Sequence, residues 1–168
     1  MQVRTLNAGD ATAYQNLRLR ALRESPTAFS ASWADEADRS IADIAARLTP
    51  AADGSACTLA AIIDNELVGY VAFIRPMRAK LAHRAELAGM YVAPEHRRGG
   101  VARALLSFVV AHAREHGLRQ LKVGVNRSNL AACELYRSAG FVVFGTEPDA
   151  LFIDGVYYDE EHSVLRLR

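Results

Sequence analysis

Two arginines and two glycines stand between an apolar segment and a helical pattern. Ala85–Val92 reads AELAGMYV, residues 97–100 read RRGG, and the helical pattern starts at Val101. Glycine lets the backbone approach a ligand closely, and the first turn of a helix offers unpaired N–H groups and the positive end of its dipole. Such a strand–loop–helix corner suits a phosphate group. An ordinary corner with two glycines explains the same residues, so this segment alone leaves both interpretations open.

The corner lacks the two best-known phosphate-binding motifs. No Gly-Lys-Ser/Thr follows the glycines, so the segment is not a P-loop. The GxGxxG of the dinucleotide-binding fold is also missing. If the corner binds a phosphate group, it does so with neither of these motifs.

A second segment, Gly124–Phe141, reads GVNRSNLAACELYRSAGF. Residues 129–136 read NLAACELY, and Gly140-Phe141 follow. This matches the second motif of one family, which is Asn-x-x-Ala-x-x-Leu-Tyr followed by Gly-Phe. Residues 97–102 (RRGGVA) match that family's first motif, Arg/Gln-x-x-Gly-x-Gly/Ala. With both motifs in order, nearly the whole chain resembles the GNAT superfamily of acyl-CoA-dependent N-acetyltransferases. The resemblance implies a single N-acetyltransferase domain over residues 1–168. It also implies an α/β fold whose mixed, mostly antiparallel sheet is flanked by helices and contains a splayed pair of parallel strands.

The resemblance implies that acetyl-CoA binds as a co-substrate. Its pyrophosphate is expected on backbone N–H groups of the glycine loop. Its pantetheine arm is expected between Ala85–Val92 and Gln120–Val125, where a bulge in the first strand leaves N–H groups free. Asn129 is expected to bond to the pantetheine or to fix the start of its helix. The residues implied to bind the cofactor are Met90, Val92, Arg97, Arg98, Gly99, Gly100, Val101, Ala102 and Asn129.

Two residues are implied as catalytic. Tyr136 would protonate the departing CoA thiolate, because a tyrosine hydroxyl is neutral at pH 7 and can donate a proton. Glu86 would take a proton from the amine, although a bound water serves in some family members and an ion pair with Arg84 also explains this carboxylate. The implied reaction is direct transfer in a ternary complex, and neither Cys57 nor Cys133 lies in a recognisable nucleophile setting.

A zinc-peptidase pattern also occurs but is set aside. Residues 112–116 read HAREH and match HxxEH. The helical pattern places Val101, Leu105, Phe108, Val109, His112 and His116 on one side, so the histidines are predicted to extend a core-facing stripe. No clear third ligand is found, and no metal site is predicted.

The acceptor of the acetyl group is expected near the first two helices and the loops around Phe29, Trp33 and Tyr157. The favoured acceptor is a primary amine of a small molecule or amino acid. The alternatives are a protein N-terminus or lysine, or a catalytically idle acyl-CoA-binding module. A basic stretch at 75–84 favours a solvated loop, with contact to CoA or an acidic substrate as alternatives. Acidic residues at 147–161 suit a cationic amine or simply close the last hairpin.

The elements that position these residues follow from hydrophobic periodicity and turn residues. Two helices are predicted before a hairpin of Cys57–Ile63 and Leu67–Ile74, the first capped by Asp10. A helix at Val101–His116, a strand at Gln120–Val125 and a helix at Asn129–Ala139 follow the central strand. The last part is predicted as a strand at Phe141–Gly145, a loop at Glu147–Gly155 and a strand at Val156–Leu167.

Composition excludes several other classes of protein. The 168 residues are 51% hydrophobic and 23% charged, with a net charge of +1. This length suits one domain, and the charge balance does not indicate a nucleic-acid partner. No apolar run is long enough to span a membrane. Two distant cysteines are typical of free thiols in the cytoplasm. The expected location is therefore cytoplasmic, and a homodimer is expected because a final edge strand tends to find a partner.

Overall fold

The computed structural model describes residues 1–167, which form one seven-stranded sheet with helices against both faces. The strands are β1 (Gln2–Thr5), β2 (Ala56–Ile63), β3 (Glu66–Ile74), β4 (Arg84–Val92), β5 (Gln120–Asn126), β6 (Val142–Ile153) and β7 (Val156–Arg166). The helices are α1 (Ala11–Glu24), α2 (Trp33–Ala37), α3 (Ile41–Leu48), α4 (Val101–Glu115) and α5 (Leu130–Ser138). The strand order is β1-β2-β3-β4-β5-β7-β6, and the β4–β5 pair is parallel while the other neighbouring pairs are antiparallel. This is the mixed, mostly antiparallel sheet that the sequence predicts.

Alternating side chains along the strands build a separate core on each face of the sheet. On one face, α4 and α5 pack against the central strands, and Leu105, Val109 and Leu121 are fully buried. On the other face, α1 and α3 cover β2 and β3 around Tyr70 and Ile44. The middle of the sheet is thus fixed from both sides, and a functional site there rests on rigid strands.

The two hairpins differ in how well the sequence predicts them. Asp64 and Asn65 have φ angles of 48° and 66°, the conformation of a tight turn, which confirms the predicted hairpin of β2 and β3. The predicted loop at Glu147–Gly155 is wrong, because β6 runs from Val142 to Ile153 and pairs with β7. Its Glu-Pro-Asp sequence is accommodated by an irregularity between Glu147 and Leu151. Proline is tolerated there because β6 is the edge strand.

The helices before the hairpin also differ from the prediction. The short helix α2 was not predicted, and it begins after Ser32, whose hydroxyl accepts a hydrogen bond from the N–H of Asp35. Asp10 does not cap α1; its carboxylate instead receives two hydrogen bonds from Arg4, at 2.7 and 2.8 Å. Asn7 caps the preceding 3₁₀ turn. The Asp10 carboxylate is therefore paired with Arg4 instead of capping α1.

The buried side of α4 is rotated from the predicted stripe. Phe108 is 37% exposed and His116 is exposed, whereas Leu106 and Ala113 are buried. His112 is half-buried, and its ring packs edge-on against Phe73 with centroids 4.9 Å apart. The inward side thus follows the i, i+4 series of Val101, Leu105, Val109 and Ala113.

Candidate active site

The parallel strands β4 and β5 separate halfway along their length. They pair from Arg84 opposite Gln120 to Leu87 opposite Val123, and no later pair occurs between them in residues 1–167. On its other side, β4 has one extra residue relative to β3, because Tyr70 faces Tyr91 while Ala72 faces Ala88. This β-bulge bends the strand and interrupts its ladder. The splayed pair and the bulge predicted from the sequence are both present.

The bulge occurs at a glycine with a left-handed backbone. Gly89 has a φ of +59°, a conformation that residues with a Cβ rarely adopt. An added Cβ would lie 3.5 Å from Arg18 Nη1 and 3.7 Å from the ring of Phe29. The opening between the strands, which we call the β4–β5 opening (residues 88–92 and 124–126), is therefore approached from the α1 side by an arginine and an aromatic ring.

The glycine loop and the start of α4 lie directly after β4. Gly100 has a φ of +85°, and a Cβ added to it would meet no atom within 4 Å. The N–H of Ala104 bonds to Gly100 O at 2.9 Å, so the N–H groups of Val101, Ala102 and Arg103 come before the first helical bond. Exposed backbone donors, a helix dipole and open space beside a glycine fit a pyrophosphate group.

The side chains of this loop have different roles from its backbone. Arg97 Nε donates to the carbonyl oxygen of Val92 at 2.9 Å, and its guanidinium lies 5.6 Å from the ring centroid of Tyr91. The Arg97 side chain therefore holds the loop against the end of β4. Arg20 braces the loop from α1 through two hydrogen bonds to Glu95, at 2.6 and 2.8 Å, which lower the pKa of Glu95 to about 2. The exposed residues Arg98 and Gly99 complete the loop.

Tyr136 reaches the bulge from the α5 side of the sheet. It is 5% exposed, its ring packs edge-on against Phe141, and its hydroxyl lies 3.7 Å from Met90 Sδ. Burial raises the pKa of Tyr136 above its usual value, so the hydroxyl keeps its proton at neutral pH. A thioether is a weak acceptor, so this contact leaves the hydroxyl proton available.

Asn129 lies at the start of α5, and its Oδ1 accepts a hydrogen bond from the N–H of Ala132 at 3.1 Å. Of the two roles predicted for it, fixing the helix start is the one that this contact performs. The helix in turn holds Tyr136 against Met90. Asn129 therefore positions the tyrosine through the backbone of α5.

Glu86 lies apart from the other predicted residues. Its neighbours Ala85 and Leu87 point into the α4 core, so Glu86 faces the opposite side of the sheet. Its side chain is 54% exposed, and the nearest cation is Arg84, whose Nη2 lies 4.0 Å from Glu86 Oε1. Four residues separate Glu86 from Met90, about 13 Å along an extended strand. The structure thus brings Tyr136 to Met90 but leaves Glu86 on the paired part of β4.

Sequence reasoning missed a buried asparagine at the end of β5. Asn126 is 3% exposed, and its Nδ2 donates to the carbonyl oxygen of Thr27 at 3.1 Å. Its Oδ1 accepts hydrogen bonds from the N–H and the hydroxyl of Ser128, at 2.9 and 2.7 Å. The bond to Thr27 joins the 3₁₀ turn before Phe29 to the edge of the β4–β5 opening, and the bonds from Ser128 hold the Asn126 side chain in place. No motif marks this asparagine, because its partner is 99 residues away.

The aromatic residues expected near the acceptor lie in three different settings. Phe29 is 6% exposed and lies beside the bulge. Trp33 is 38% exposed and lies under the guanidinium of Arg23, 4.3 Å from its ring centroid. Tyr157 stacks on Phe152 at the tip of the last hairpin and is 62% exposed. Of the three, Phe29 is therefore the one that the structure places at the opening.

Of the HxxEH histidines and the two cysteines, His112, Cys57 and Cys133 are half-buried, and His116 is exposed. The carbonyl oxygen of His112 accepts a hydrogen bond from His116 Nδ1 at 2.8 Å, and burial lowers the pKa of His112. Burial raises the pKa of Cys57 to about 11, and it also raises the pKa of Cys133. Thiols in such settings are poor nucleophiles.

Among the described residues, no helix has the length and apolar character needed to cross a membrane.

Comparison with known proteins agrees with this geometry. The model of the acetyltransferase (GNAT) family matches residues 18–141. The chain belongs to the GNAT family. An uncharacterized N-acetyltransferase of Mycobacterium tuberculosis is 32% identical over 103 residues, which are 61% of this chain and 62% of that protein. The L-amino acid N-acyltransferase MnaT of Escherichia coli is 37% identical over 59 residues, 35% of this chain and 34% of MnaT. The chain thus matches less than two thirds of the length of these GNAT relatives.

Solved GNAT structures match over almost the full chain. The ribosomal-protein-alanine N-acetyltransferase of Brucella melitensis superposes with a TM-score of 0.85 at 25% identity, covering 99% of this chain and 100% of that one. An acetyltransferase of Salmonella typhimurium, solved with its cofactor acetyl-CoA, gives a TM-score of 0.83 at 24% identity, covering 100% of this chain and 94% of that one. Likeness at this level shows the GNAT fold.

Proposed function

We propose that this chain is a single-domain, acetyl-CoA-dependent N-acetyltransferase that acetylates a primary amine of a small molecule or amino acid. The observation that carries the proposal is the β4–β5 opening, which has the glycine loop at one end and the hydroxyl of Tyr136 beside its bulge. The Salmonella protein, which has the same fold, was solved with acetyl-CoA. This likeness supports acetyl-CoA as the co-substrate.

Backbone groups bind the co-substrate in this proposal. The N–H groups of residues 97–102 receive the pyrophosphate, and the β4–β5 opening receives the pantetheine arm. N–H groups at Met90 and Val92 polarise the thioester carbonyl. Fixed donors directed at a developing oxyanion are among the largest catalytic effects in enzymes. The bulge supports this role because it interrupts the ladder of β4 at Met90.

Tyr136 acts as the general acid. The amine nitrogen attacks the carbonyl carbon, a C–N bond forms, and the C–S bond breaks as the sulfur takes a proton from the tyrosine hydroxyl. The high pKa of Tyr136 supports this role, because the proton is present at neutral pH. Direct transfer is favoured over a covalent enzyme intermediate, because burial raises the pKa of both cysteine thiols.

The amine also needs a group that accepts its proton, and two side chains compete for that role. Glu86 is the residue predicted from the sequence, and its exposed carboxylate faces the same side of the sheet as Lys122, its strand partner. The other candidate is His162 of β7, which lies beside Gly124 at the edge of the opening. Substitution of each residue in turn distinguishes them.

The acceptor class is supported by charge and by one relative. We call the face of the sheet that α1 covers the acceptor side. Glu147 and Glu160 lie on this side, and carboxylates attract a protonated amine. The name of MnaT describes an enzyme that acylates L-amino acids, which supports an amino-acid acceptor. The Brucella protein is a ribosomal-protein-alanine N-acetyltransferase, which supports a protein N-terminus as the second candidate.

A thiol-release assay with acetyl-CoA and a panel of acceptors tests the proposal. The panel contains amino acids, polyamines and short peptides with free N-termini, and calorimetry measures the affinity for CoA beside it. Release with amino acids or other small amines is the expected result. Release with peptides alone would favour the protein acceptor, and tight CoA binding without release would indicate an idle acyl-CoA-binding module.

We further propose that the chain forms a homodimer in the cytoplasm. The edge strand β6 and the start of β7 expose a set of large apolar side chains: Val142, Val143, Phe144, Phe152, Val156 and Tyr157. An exposed edge of this kind tends to pair with another strand, and free thiols are typical of a reducing compartment. Light scattering tests the dimer; a species of about 18 kDa at every concentration would contradict it.

A further inference from the structure

Three titratable side chains meet on the acceptor side of the sheet, two of them from the acidic segment at 147–161. They are Glu147 of β6 with Glu160 and His162 of β7, and their ligand atoms lie within 4.8 Å of one another. His162 Nε2 lies 2.8 Å from Glu147 Oε2. We call this group the β6–β7 triad. Its members converge although 15 residues separate Glu147 from His162.

The β6–β7 triad lies against the backbone of β5 at a glycine. A Cβ added at Gly124 would lie 3.0 Å from Glu160 Oε2 and 3.4 Å from both Cε1 and Nδ1 of His162. A Cβ contact of 3.0 Å is tighter than nine in ten real ones, so the Glu160 carboxylate would have to give by a few tenths of an ångström, whereas the imidazole at 3.4 Å would be at the edge of ordinary contact. The imidazole and the carboxylate therefore both lie directly against the backbone of β5 at Gly124.

Gly124 is also the point at which the two parallel strands separate. The last β4–β5 pair is Leu87 with Val123, so Gly124 is the first residue of β5 beyond the pairing, and its β7 partner is His162. Glu86, by contrast, faces Lys122 inside the paired segment. His162 thus borders the opening that receives the thioester, while Glu86 lies two residues before Ala88, where the β4 side of the opening begins.

The hydrogen bond to Glu147 determines which nitrogen of His162 is free. In a neutral imidazole one nitrogen donates and the other accepts. With the proton on Nε2 donated to Glu147 Oε2, the lone pair is on Nδ1, which is the ring atom close to Gly124. A carboxylate that fixes the tautomer and stabilises the imidazolium is a recurring arrangement for a general base.

We propose that His162, oriented by Glu147, accepts the proton of the acceptor amine, and that Glu160 attracts the ammonium form to the opening. This inference rests on the proposed acetyl transfer and names the base for it. The ammonium gives one proton to His162 Nδ1, and the free amine then attacks the thioester carbonyl carbon. The nitrogen gives its second proton to a solvent water as the C–S bond breaks, and Tyr136 gives its hydroxyl proton to the thiolate. The tyrosinate then takes a proton from solvent and the imidazolium of His162 releases one to solvent, so both side chains return to their starting forms. Two protons leave nitrogen and one reaches sulfur, so one proton is released to solvent.

Charged groups around His162 come from every neighbouring strand. Glu147 on β6 and Glu160 on β7 are in the β6–β7 triad itself. Lys122 on β5 lies 5.0 Å from the ring centroid of Phe144, which is 6.2 Å from that of His162. Of these groups, the two carboxylates are the ones whose ligand atoms lie within 4.8 Å of the imidazole. A proton transferred to the ring would therefore have two carboxylates beside it.

The test compares H162Q, E147Q and E86Q with the parent chain in the thiol-release assay. General base catalysis is worth about 10²–10⁴-fold, so H162Q should lower kcat about 100-fold. E147Q keeps a hydrogen-bond acceptor but loses the charge, so a fall of about tenfold is expected. The matched control is H116Q, because His116 is an exposed histidine on another element and should leave kcat unchanged. Imidazole added to H162A should restore part of the rate, which a purely structural role would not allow.

A second variant reaches the same point through the backbone. G124A adds a Cβ that crowds the Glu160 carboxylate and touches the His162 ring, and should lower kcat while the affinity for acetyl-CoA stays within about threefold. If the parent chain is active and the kcat of H162Q stays within twofold of it, this inference is overturned while the proposed acetyltransferase activity stands. A fall confined to E86Q would return the role to Glu86. A parent chain that releases no thiol with any acceptor would contradict the proposed function, and this inference with it.

Discussion

In the proposed site, the acetyl-CoA side and the acceptor side of the β4–β5 opening are built in different ways. The first uses the backbone of one contiguous stretch, the bulge at Gly89 and the loop up to Gly100, with one hydroxyl from Tyr136. The second uses side chains from separate segments, among them Asn126 and His162. The geometry of the acetyl-CoA side therefore depends on the turns of the backbone. The geometry of the acceptor side depends on which side chains the strand pairing brings together.

The difference explains how one fold serves many acceptors. A backbone site depends on glycines and on helix starts, so it has a short and recognisable motif. A side-chain site changes whenever one distant residue changes, while the fold remains the same. Substitutions on the two sides should therefore have separable effects: binding of acetyl-CoA or protonation of its leaving thiolate on one side, and affinity for the amine or its deprotonation on the other.

The largest effect on the acetyl-CoA side is expected from Tyr136→Phe. General acid catalysis is worth about 10²–10⁴-fold, and a thiolate is a fair leaving group, so kcat should fall about 100-fold. Affinity for acetyl-CoA should hardly change, because the hydroxyl acts in the transition state. Steady-state kinetics and calorimetry check both. A kcat within twofold of the parent would make Tyr136 only a packing residue beside Phe141.

The next effect is expected from Gly100→Val, which tests the backbone cradle. The left-handed φ of +85° disfavours valine, and its side chain would fill the open space beside the loop. Losing donors to the pyrophosphate should cost about 1–3 kcal/mol, roughly 10- to 100-fold in affinity for CoA.

Gly117→Val is the matched control for that variant. Gly117 follows the other end of α4, has a φ of +68° and also has no atom within 4 Å of an added Cβ. It should lower the melting temperature in a similar way but leave CoA affinity unchanged. Equal affinity in both variants would place the phosphates elsewhere.

A smaller effect on the acceptor side is expected from Asn126→Ala. Loss of the bond to Thr27 O frees the turn before Phe29 and leaves buried groups unpaired, at a cost of about 1–3 kcal/mol in the free energy of unfolding. KM for the amine should rise more than KM for acetyl-CoA. Ser128→Ala removes a bond to Asn126 but not the bond to Thr27, so it serves as the control. Equal changes in the two KM values would show that this asparagine does not distinguish the two sides.

The smallest effect is expected from Asp10→Asn, outside both sides of the opening. Hydrogen bonds from Arg4 lower the pKa of Asp10, so the carboxylate stabilises the fold above its unfolded-state pKa, about 3.9. That stabilisation is lost as the pH falls through the lower pKa of the folded state. Chemical unfolding at pH 7 should show a loss of less than about 1 kcal/mol. The gap between parent and variant should close at acid pH, and a gap that grows there would contradict this account.

The sequence predicts the parts that depend on local geometry. The glycine loop and the start of α5 require particular residues at fixed spacing, so the segments at 97–102 and 129–136 were recognisable, and the bulge and the splayed strands were implied by the family that these segments resemble. The β6–β7 triad was not, because its contacts depend on the register that pairs Gly124 with His162 and Gly145 with His162. The extent of β6 was missed for a related reason: Pro148 indicates a break in a sequence, but an edge strand tolerates it. Glu86 was a reasonable prediction of residue type, yet only the strand pairing shows that it lies before the opening.

A crystal structure of the chain with acetyl-CoA tests the central claim most directly. The account predicts the pyrophosphate on the N–H groups of residues 97–102, the pantetheine arm between β4 and β5, and the sulfur within about 3.5 Å of the Tyr136 hydroxyl oxygen, a hydrogen-bond distance for sulfur. Acetyl-CoA bound away from the β4–β5 opening, or with its sulfur out of reach of Tyr136 and the thioester carbonyl away from Met90, would contradict it.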